Sequence, residues 1–440
     1  MVDYRAPGVY VQEVPSGARM IGRVGTSSAG FVGVAPWADA PRDTVVTIDN
    51  WTAFAQQFIG DATTGTYLSS AVYGFFQNGG SRCYVVNVGE GGSLTGTARK
   101  PTGLTLLEAI DDVAIVAAPG FADPESYDAI AAHCQHPLLQ DRVGIVDTIE
   151  DVDDVGRLLE VGTVGRPPRS GAPPAAGAGD PPPEGDASAE GRAGDAQPAT
   201  GSASAPTGAR GDGSQGLRPP MSPDGYVTAY FPWLVIRDPV SGRQVTAPPS
   251  GHMAGVWART DASRGVHKAP ANAPVIGALD LVRRVSRGDQ ELLNPAGINC
   301  IRYFSGEGIL VWGARTLAPE ASEFRYINVR RLTNMVKESI LDGTRWAVFE
   351  PNHHPLWSAL RRDANAFLMN VWRDGALVGR TPQEAFFVKC DEETNPPEVR
   401  DAGMVVTIIG IAPVKPAEFV VFKLMQSSDA TEIETTGASR

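Results

Sequence analysis

Val113-Ala114-Ile115-Val116-Ala117-Ala118, then the segment 125–135, then Val143-Gly144-Ile145-Val146, reads as strand, amphipathic helix, strand. The two apolar runs are short, uncharged and rich in β-branched residues. A strand covered by helices on both faces needs this pattern, so the triplet is a βαβ unit and the surrounding chain an α/β layer.

Toward the N-terminus the same alternation continues. Gly30-Phe31-Val32-Gly33-Val34 and Thr44-Val45-Val46-Thr47-Ile48 read as strands, and Asp49 or Asn50 caps a short helix that aligns Trp51, Phe54 and Phe58. A second helix from about residue 67 places Leu68, Val72, Phe75 and Phe76 inward and stops at Gly79-Gly80, just before a strand over 83–88.

Toward the C-terminus the character changes at 162–225. Gly, Pro and Ala dominate and aromatic residues are absent, so the segment offers too little burial to offset ordering and is expected to be a disordered surface insertion. Order is expected to resume with one buried strand over 226–236, leading through Pro248-Pro249-Ser250-Gly251-His252 into Gly255-Val256-Trp257-Ala258. A strand pair follows around Cys300 and 309–312. Two long amphipathic helices come next. The first, over 322–341, turns Phe324, Ile327, Val336 and Ile340 inward and shows Arg330, Asn334 and Lys337 on another face. The second starts at Pro355, carries Trp357, Leu360, Phe367, Leu368 and Val371, and ends near Gly375. Strands over 385–390, 404–411 and 418–424 finish the pattern.

Two strand-like segments lie outside this body: Val9-Tyr10-Val11-Gln12-Glu13-Val14, introduced by Pro7-Gly8, and Glu418-Phe419-Val420-Val421-Phe422-Lys423-Leu424. A lone strand is not stable in water and must complete a sheet, in its own subunit or in a neighbour. These ends raise the expectation of a polymer.

Composition narrows the class. At 440 residues the chain is long enough for two or three domains, and 42% hydrophobic residues provide ample core. A formal charge of −12 disfavours nonspecific binding to nucleic acid or anionic membrane. Cys83, Cys134, Cys300 and Cys390 are widely spaced and three sit in apolar runs, which suits buried thiols of a protein made in a reducing compartment. No signal-peptide layout precedes residue 10 and no stretch has the apolar length of a membrane span, so synthesis in the cytoplasm without membrane insertion is expected.

Catalytic motifs are weak. No lysine follows a glycine, which excludes a Walker-type phosphate loop. Gly211-Asp212-Gly213-Ser214-Gln215-Gly216 matches a dinucleotide pattern but lies in the insertion, as does the overlapping Arg210-Gly211-Asp212. Gly25-Thr26-Ser27-Ser28-Ala29 is similar to the nucleophile segment of subtilisin-like proteases, yet it precedes every histidine, the wrong order for that family. Ser305 with Asp147 and His252 restores the order without matching local sequence. His133 and His136 around Cys134, and His353-His354, lack the third and fourth ligands of a metal site. No cofactor is expected. Arg330-Arg331 and Arg361-Arg362 form either a basic patch or, with Glu323, Glu338, Asp342, Glu350 and Asp363 interleaved, a solvated helix face.

Several long segments together resemble one family, the sheath proteins of contractile phage tails and phage-tail-like injection systems. They are Pro7-Gly8-Val9-Tyr10-Val11 with Glu13-Val14; Tyr73-Gly74-Phe75-Phe76-Gln77-Asn78-Gly79-Gly80; Arg82-Cys83-Tyr84-Val85; Pro248-Pro249-Ser250-Gly251-His252; Lys268-Ala269-Pro270-Ala271-Asn272; and Val311-Trp312-Gly313-Ala314-Arg315-Thr316-Leu317. Asn328-Val329-Arg330-Arg331-Leu332, Phe349-Glu350-Pro351-Asn352, Leu356-Trp357 and Ala412-Pro413-Val414-Lys415-Pro416-Ala417-Glu418-Phe419 complete the set, in the family's order. His267 departs from it, standing where the family pattern often has an aromatic residue, and the insertion lies outside the shared core.

The resemblance implies a mixed α/β and α+β subunit with a subtilisin-like middle domain of no catalytic role, an α+β C-terminal domain and extended terminal β-strand arms. The division expected is an N-terminal arm and hinge (1–24), an outer α/β region (25–161), the insertion (162–225), the rest of the middle domain (226–315), an inner domain (316–412) and a C-terminal arm (413–440). It implies a helical homopolymer around an inner tube, with baseplate and terminal cap proteins as partners, that contracts to drive the tube through an envelope. The arms would pair with neighbouring subunits. Residues 15–24, with Pro15, Ser16 and Gly17, would be one hinge and Pro413 to Pro416 the other. Arg330, Arg331, Lys337, Arg361 and Arg362 would face the tube.

Overall fold

The computed structural model describes residues 20–97, 99–162 and 217–421. The elements that matter are, in chain order, strands β1 (Ala29–Gly33), β2 (Val45–Ile48) and β3 (Cys83–Asn87), with helix α1 (Tyr67–Gln77) before β3; then β4 (Ile115–Ala117), α2 (Pro124–Gln135) and β5 (Val143–Asp147). They continue with β6 (Val227–Phe231), β7 (Leu234–Arg237), α3 (Ser250–Arg264), β8 (Ile298–Phe304) and β9 (Gly308–Val311). Helices α4 (Ile327–Thr344) and α5 (His354–Arg373) precede β10 (Phe386–Lys389) and β11 (Ile408–Ile411).

The βαβ expectation holds. β4 and β5 pair in parallel, with Ile115 opposite Val143 and Ala117 opposite Ile145, and α2 crosses between them. Asp123 caps that helix by accepting the Ser126 N–H at 2.9 Å, and Pro124 occupies its first turn. The pair sits inside a nine-stranded sheet ordered Ala273–Pro274, β9, β8, β6, β5, β4, β1, β3, β2. Every pairing from β8 to β3 is parallel, and the flanking strands are antiparallel.

Alternation along these strands feeds two cores. Phe31, Val85, Ile115 and Ile145 point to a layer containing α1 and α3, while Val32, Val86, Val116 and Val146 point to one containing Tyr127, Ile130 and Cys134 of α2. All residues of β1, β5 and β6 are buried. Each large side chain so enclosed contributes about 1.5–3 kcal/mol. Helices α1 and α3 approach closely because Gly251 faces Ala71, where a Cβ would lie 2.3 Å from the Ala71 Cα.

A second body is built from α4, α5 and the small β10–β11 sheet. Leu332, Met335, Val336, Phe367, Leu368 and Val371 form its main core, and Leu356, Trp357, Leu360 and Cys390 a smaller one.

Four expectations need correction. Residues 226–236 are two strands, not one, because Pro232 has no N–H to offer a ladder and interrupts the run between β6 and β7. Residues 217–225 are packed, not part of a disordered insertion: Leu217 is buried, its N–H bonds the Arg157 carbonyl at 2.8 Å, and the Gly162 N–H bonds the Arg218 carbonyl at 2.9 Å. The remaining 163–216, including the Gly-rich and Arg-Gly-Asp motifs, lies outside the described residues. Helix α4 starts at Ile327 rather than 322, since Thr316 takes the Phe324 carbonyl with its hydroxyl at 2.7 Å and holds 322–326 as a loop. The strand expected over 404–411 begins only at Ile408, because the buried Asn395 takes the Val406 N–H and carbonyl.

Candidate interaction site

The weighed catalytic residues do not assemble. Asp147, at the end of β5, is fully enclosed, and its carboxyl takes the Ser250 N–H at 2.8 Å and hydroxyl at 2.7 Å. Burial pushes it up to about 7 against the pull of those bonds. His252 lies two residues further along α3, turned onto Gly74, with its Nδ1 unpartnered; burial lowers it to about 4. Ser305 is exposed in the β8–β9 turn, and Ser28 donates to Asp112 at 2.9 Å. No hydrogen bond joins Asp147, His252 and Ser305, so the Asp serves as a staple for the α3 N-terminus.

The thiols are likewise structural. All four cysteines are free and buried, and burial pushes Cys134 and Cys300 up to about 12. Among the described residues no group of His, Cys, Asp and Glu is placed to hold a metal ion, and no helix is long and apolar enough to cross a membrane.

Two of the five basic residues expected to face a tube are interior. Arg331 is buried and paired with Asp261, gives its second amino group to the Thr26 carbonyl at 2.8 Å, and lies over the Trp257 ring at 4.7 Å. Arg330 is buried between the rings of Tyr226 and Phe324 and bonds Asn334 at 2.9 Å. Their positive charge therefore ties α4 to the central body and offers nothing to an outside partner. Lys337 is half-buried and reaches the Gln140 carbonyl at 3.2 Å, Arg361 bonds the Cys390 carbonyl at 2.5 Å, and Arg362 is exposed beside Asp363.

What the surface does present is a small two-stranded sheet. β10 and β11 pair antiparallel, Phe386 opposite Ile411 and Lys389 opposite Ile408, with no third strand on either side among the described residues. Two strands alone are marginal in water. Phe387 and Ile408 are exposed on them. The adjoining C-terminal segment is strapped down through Glu418, which pairs with Arg315, and then becomes exposed at Phe419, Val420 and Val421. Those four residues were expected to be part of a strand and form none here. Val9, Tyr10, Val11, Gln12, Glu13 and Val14, the hinge residues Pro15, Ser16 and Gly17, and Phe422, Lys423 and Leu424 lie outside the described residues.

A family model described as the phage tail sheath protein central domain matches residues 221–317, and one described as the phage tail sheath C-terminal domain matches 320–426. The chain belongs to the contractile tail sheath family. The tail sheath protein of Vibrio phage KVP40 is 31% identical over 204 residues, 46% of this chain and 30% of that protein. The tail sheath protein of Enterobacteria phage T4 is 25% identical over 194 residues, 43% of this chain and 28% of that protein. The matches thus span about a third of these relatives' length. Solved sheath structures match along the whole chain: an extracellular contractile injection system, the PVC sheath complex in its contracted state, superposes with TM-score 0.69 at 26% identity, covering 98% of this chain and 99% of that one. The contracted helical sheath of the anti-feeding prophage gives 0.66 at 25%, covering 97% and 100%. These relatives are structural sheath proteins, not enzymes. The boundary between the two family models falls at the passage from the parallel sheet into α4, between the two bodies of this sheath protein.

Proposed function

We propose that this sheath protein polymerises helically around an inner tube and shortens to drive that tube through a target envelope, its subunits linked by exchanged terminal strands. The observation that carries the reading is the β10–β11 sheet, whose outer edges pair with no strand among the described residues, in a chain whose sequence contains two strand-forming segments near its ends. A strand added to each edge by a different neighbour would turn a marginal hairpin into a four-stranded sheet held by backbone hydrogen bonds. Such a contact is heterologous and does not close, so it propagates as a helix. The bodies could then slide and rotate while the mesh stays intact. Work would be stored in the interfaces of a kinetically trapped long form.

The parallel sheet fits a subtilisin-like scaffold without catalytic role, the α4–α5 body an inner domain, and 163–216 an outer-surface insertion. Lys337, Arg361 and Arg362 remain the basic residues proposed to face the tube, now without Arg330 and Arg331. Other copies of the chain, the tube, the baseplate and a terminal cap are the partners, and assembly takes place in the cytoplasm of the producing cell. Deleting residues 1–14 or 417–440 should leave folded monomers that form no sheath by electron microscopy; tubes formed by either truncated protein would sink the arm reading.

A further inference from the structure

We infer that the Arg315–Glu418 ion pair is the anchor from which the C-terminal arm departs, and that it positions the arm for the neighbouring subunit. This rests on the strand-exchange reading above. The pair joins residues 103 positions apart, one in each family-model match.

Arg315 is bolted to the parallel sheet. Its N–H donates to the Asn299 Oδ1 at 2.7 Å, and its carbonyl accepts from the Asn299 Nδ2, also at 2.7 Å. Asn299 is fully buried in β8 and shares that Nδ2 with the Ala229 carbonyl of β6 at 3.1 Å. The guanidinium is directed in turn: Nη1 bonds the Asn294 carbonyl at 3.1 Å, which turns the Nε and Nη2 edge toward Glu418. Nε reaches the two carboxylate oxygens at 2.9 and 3.1 Å, and Nη2 reaches one of them. A planar fork on a planar carboxylate fixes distance and plane together. With side-chain exposures of only 12% and 15%, water does little to loosen it.

The residues just upstream are held as well. The Ala412 carbonyl accepts the Val378 N–H at 2.8 Å, the Val414 N–H meets the Ala376 carbonyl at 3.1 Å, and the Val414 carbonyl accepts Asn328 Nδ2 at 2.9 Å. Restraint therefore continues past Pro413 and Pro416 and ends at Glu418, after which Phe419, Val420 and Val421 are more than two-thirds exposed. The pivot lies after Glu418, not at Pro413 to Pro416. A strand whose base is held in one direction loses less freedom when its tip finds an edge, so the anchor raises the rate and cooperativity of linkage without touching the neighbour.

The test compares Glu418→Gln, Arg315→Lys, the swapped pair Arg315→Glu with Glu418→Arg, and a chain lacking 419–440. Glu418→Gln should stay folded, exchange amide hydrogens faster at 414–418, and assemble into sheath about tenfold more slowly, as loss of one charge-assisted contact implies. Arg315→Lys, which cannot form the fork, should be intermediate, and the swapped pair should recover part of the rate. Wild-type assembly rates in both single variants, with the 419–440 deletion inactive, would overturn the anchor and leave the arm reading standing. Normal assembly by the deletion would overturn the arm reading itself.

Discussion

The nine-stranded sheet and the β10–β11 sheet are opposite solutions to the problem of an edge. The large sheet is covered by helices on both faces, its central strands fully buried, and it ends on one side in the two-residue edge Ala273–Pro274, whose proline withholds a donor. The small one has no further strand on either edge among the described residues and leaves Phe387 and Ile408 in solvent. In the proposed reading, a subunit that moves without unfolding needs this division. The body supplies the stability of the chain, and in that reading the small sheet supplies attachment points of little value to the isolated chain.

The sharpest way to break that contrast is to damage the body. Asp261→Ala strands the buried Arg331 guanidinium and removes the acceptor of the Thr26 hydroxyl, and should cost about 3–5 kcal/mol by denaturant unfolding. Trp257→Ala, which empties the heart of the α1–α3 layer and removes the platform under Arg331, should fall in the same range of about 3–5 kcal/mol.

Acid should probe the body next. His133 and His252 are enclosed on α2 and α3 and lowered by burial to about 4, with Arg142 adding to the effect at His133. Because the folded chain resists protons that the unfolded chain takes up near the ordinary histidine value, their contribution is complete above about pH 6.5 and is lost as pH falls toward about 4. Asp147, raised to about 7, acts oppositely: its contribution is complete at low pH and is lost as pH rises through about 7. Thermal melts should therefore fall on the acid side, and His252→Leu should flatten that limb; an unchanged limb would count against burial as the cause.

The smallest stability effect should come from the small sheet. Phe387→Ala removes an exposed ring and should change unfolding by about 0.5 kcal/mol or less, yet slow sheath assembly markedly. A large stability loss with normal assembly would invert the division drawn here.

The α/β body was legible because its signals are local: apolar runs of strand length, a helix cap at Asp49 or Asn50, and the Gly79-Gly80 stop after α1. The break at Pro232 was missed although its signal is local, since a proline inside an apolar run argues against one continuous strand. Arg330 and Arg331 misled because a charged pair on a helix usually marks solvent. What buries them, Tyr226, Trp257 and Asp261, lies 70 to over 100 positions earlier and enters only through tertiary packing. For the same reason the open edges of β10 and β11 could not be read in advance. The sequence contains the strands, but whether a third lies beside them depends on the whole fold.

The Gly162–Arg218 contact has a practical meaning. Residues 162 and 218 meet at a single point, joined by a backbone hydrogen bond on the crossover between β5 and β6. A segment attached at such a point suits engineering: shortening it, lengthening it or exchanging it for another folded unit should leave the sheet in place. One graft there would be repeated at every subunit of an assembled particle.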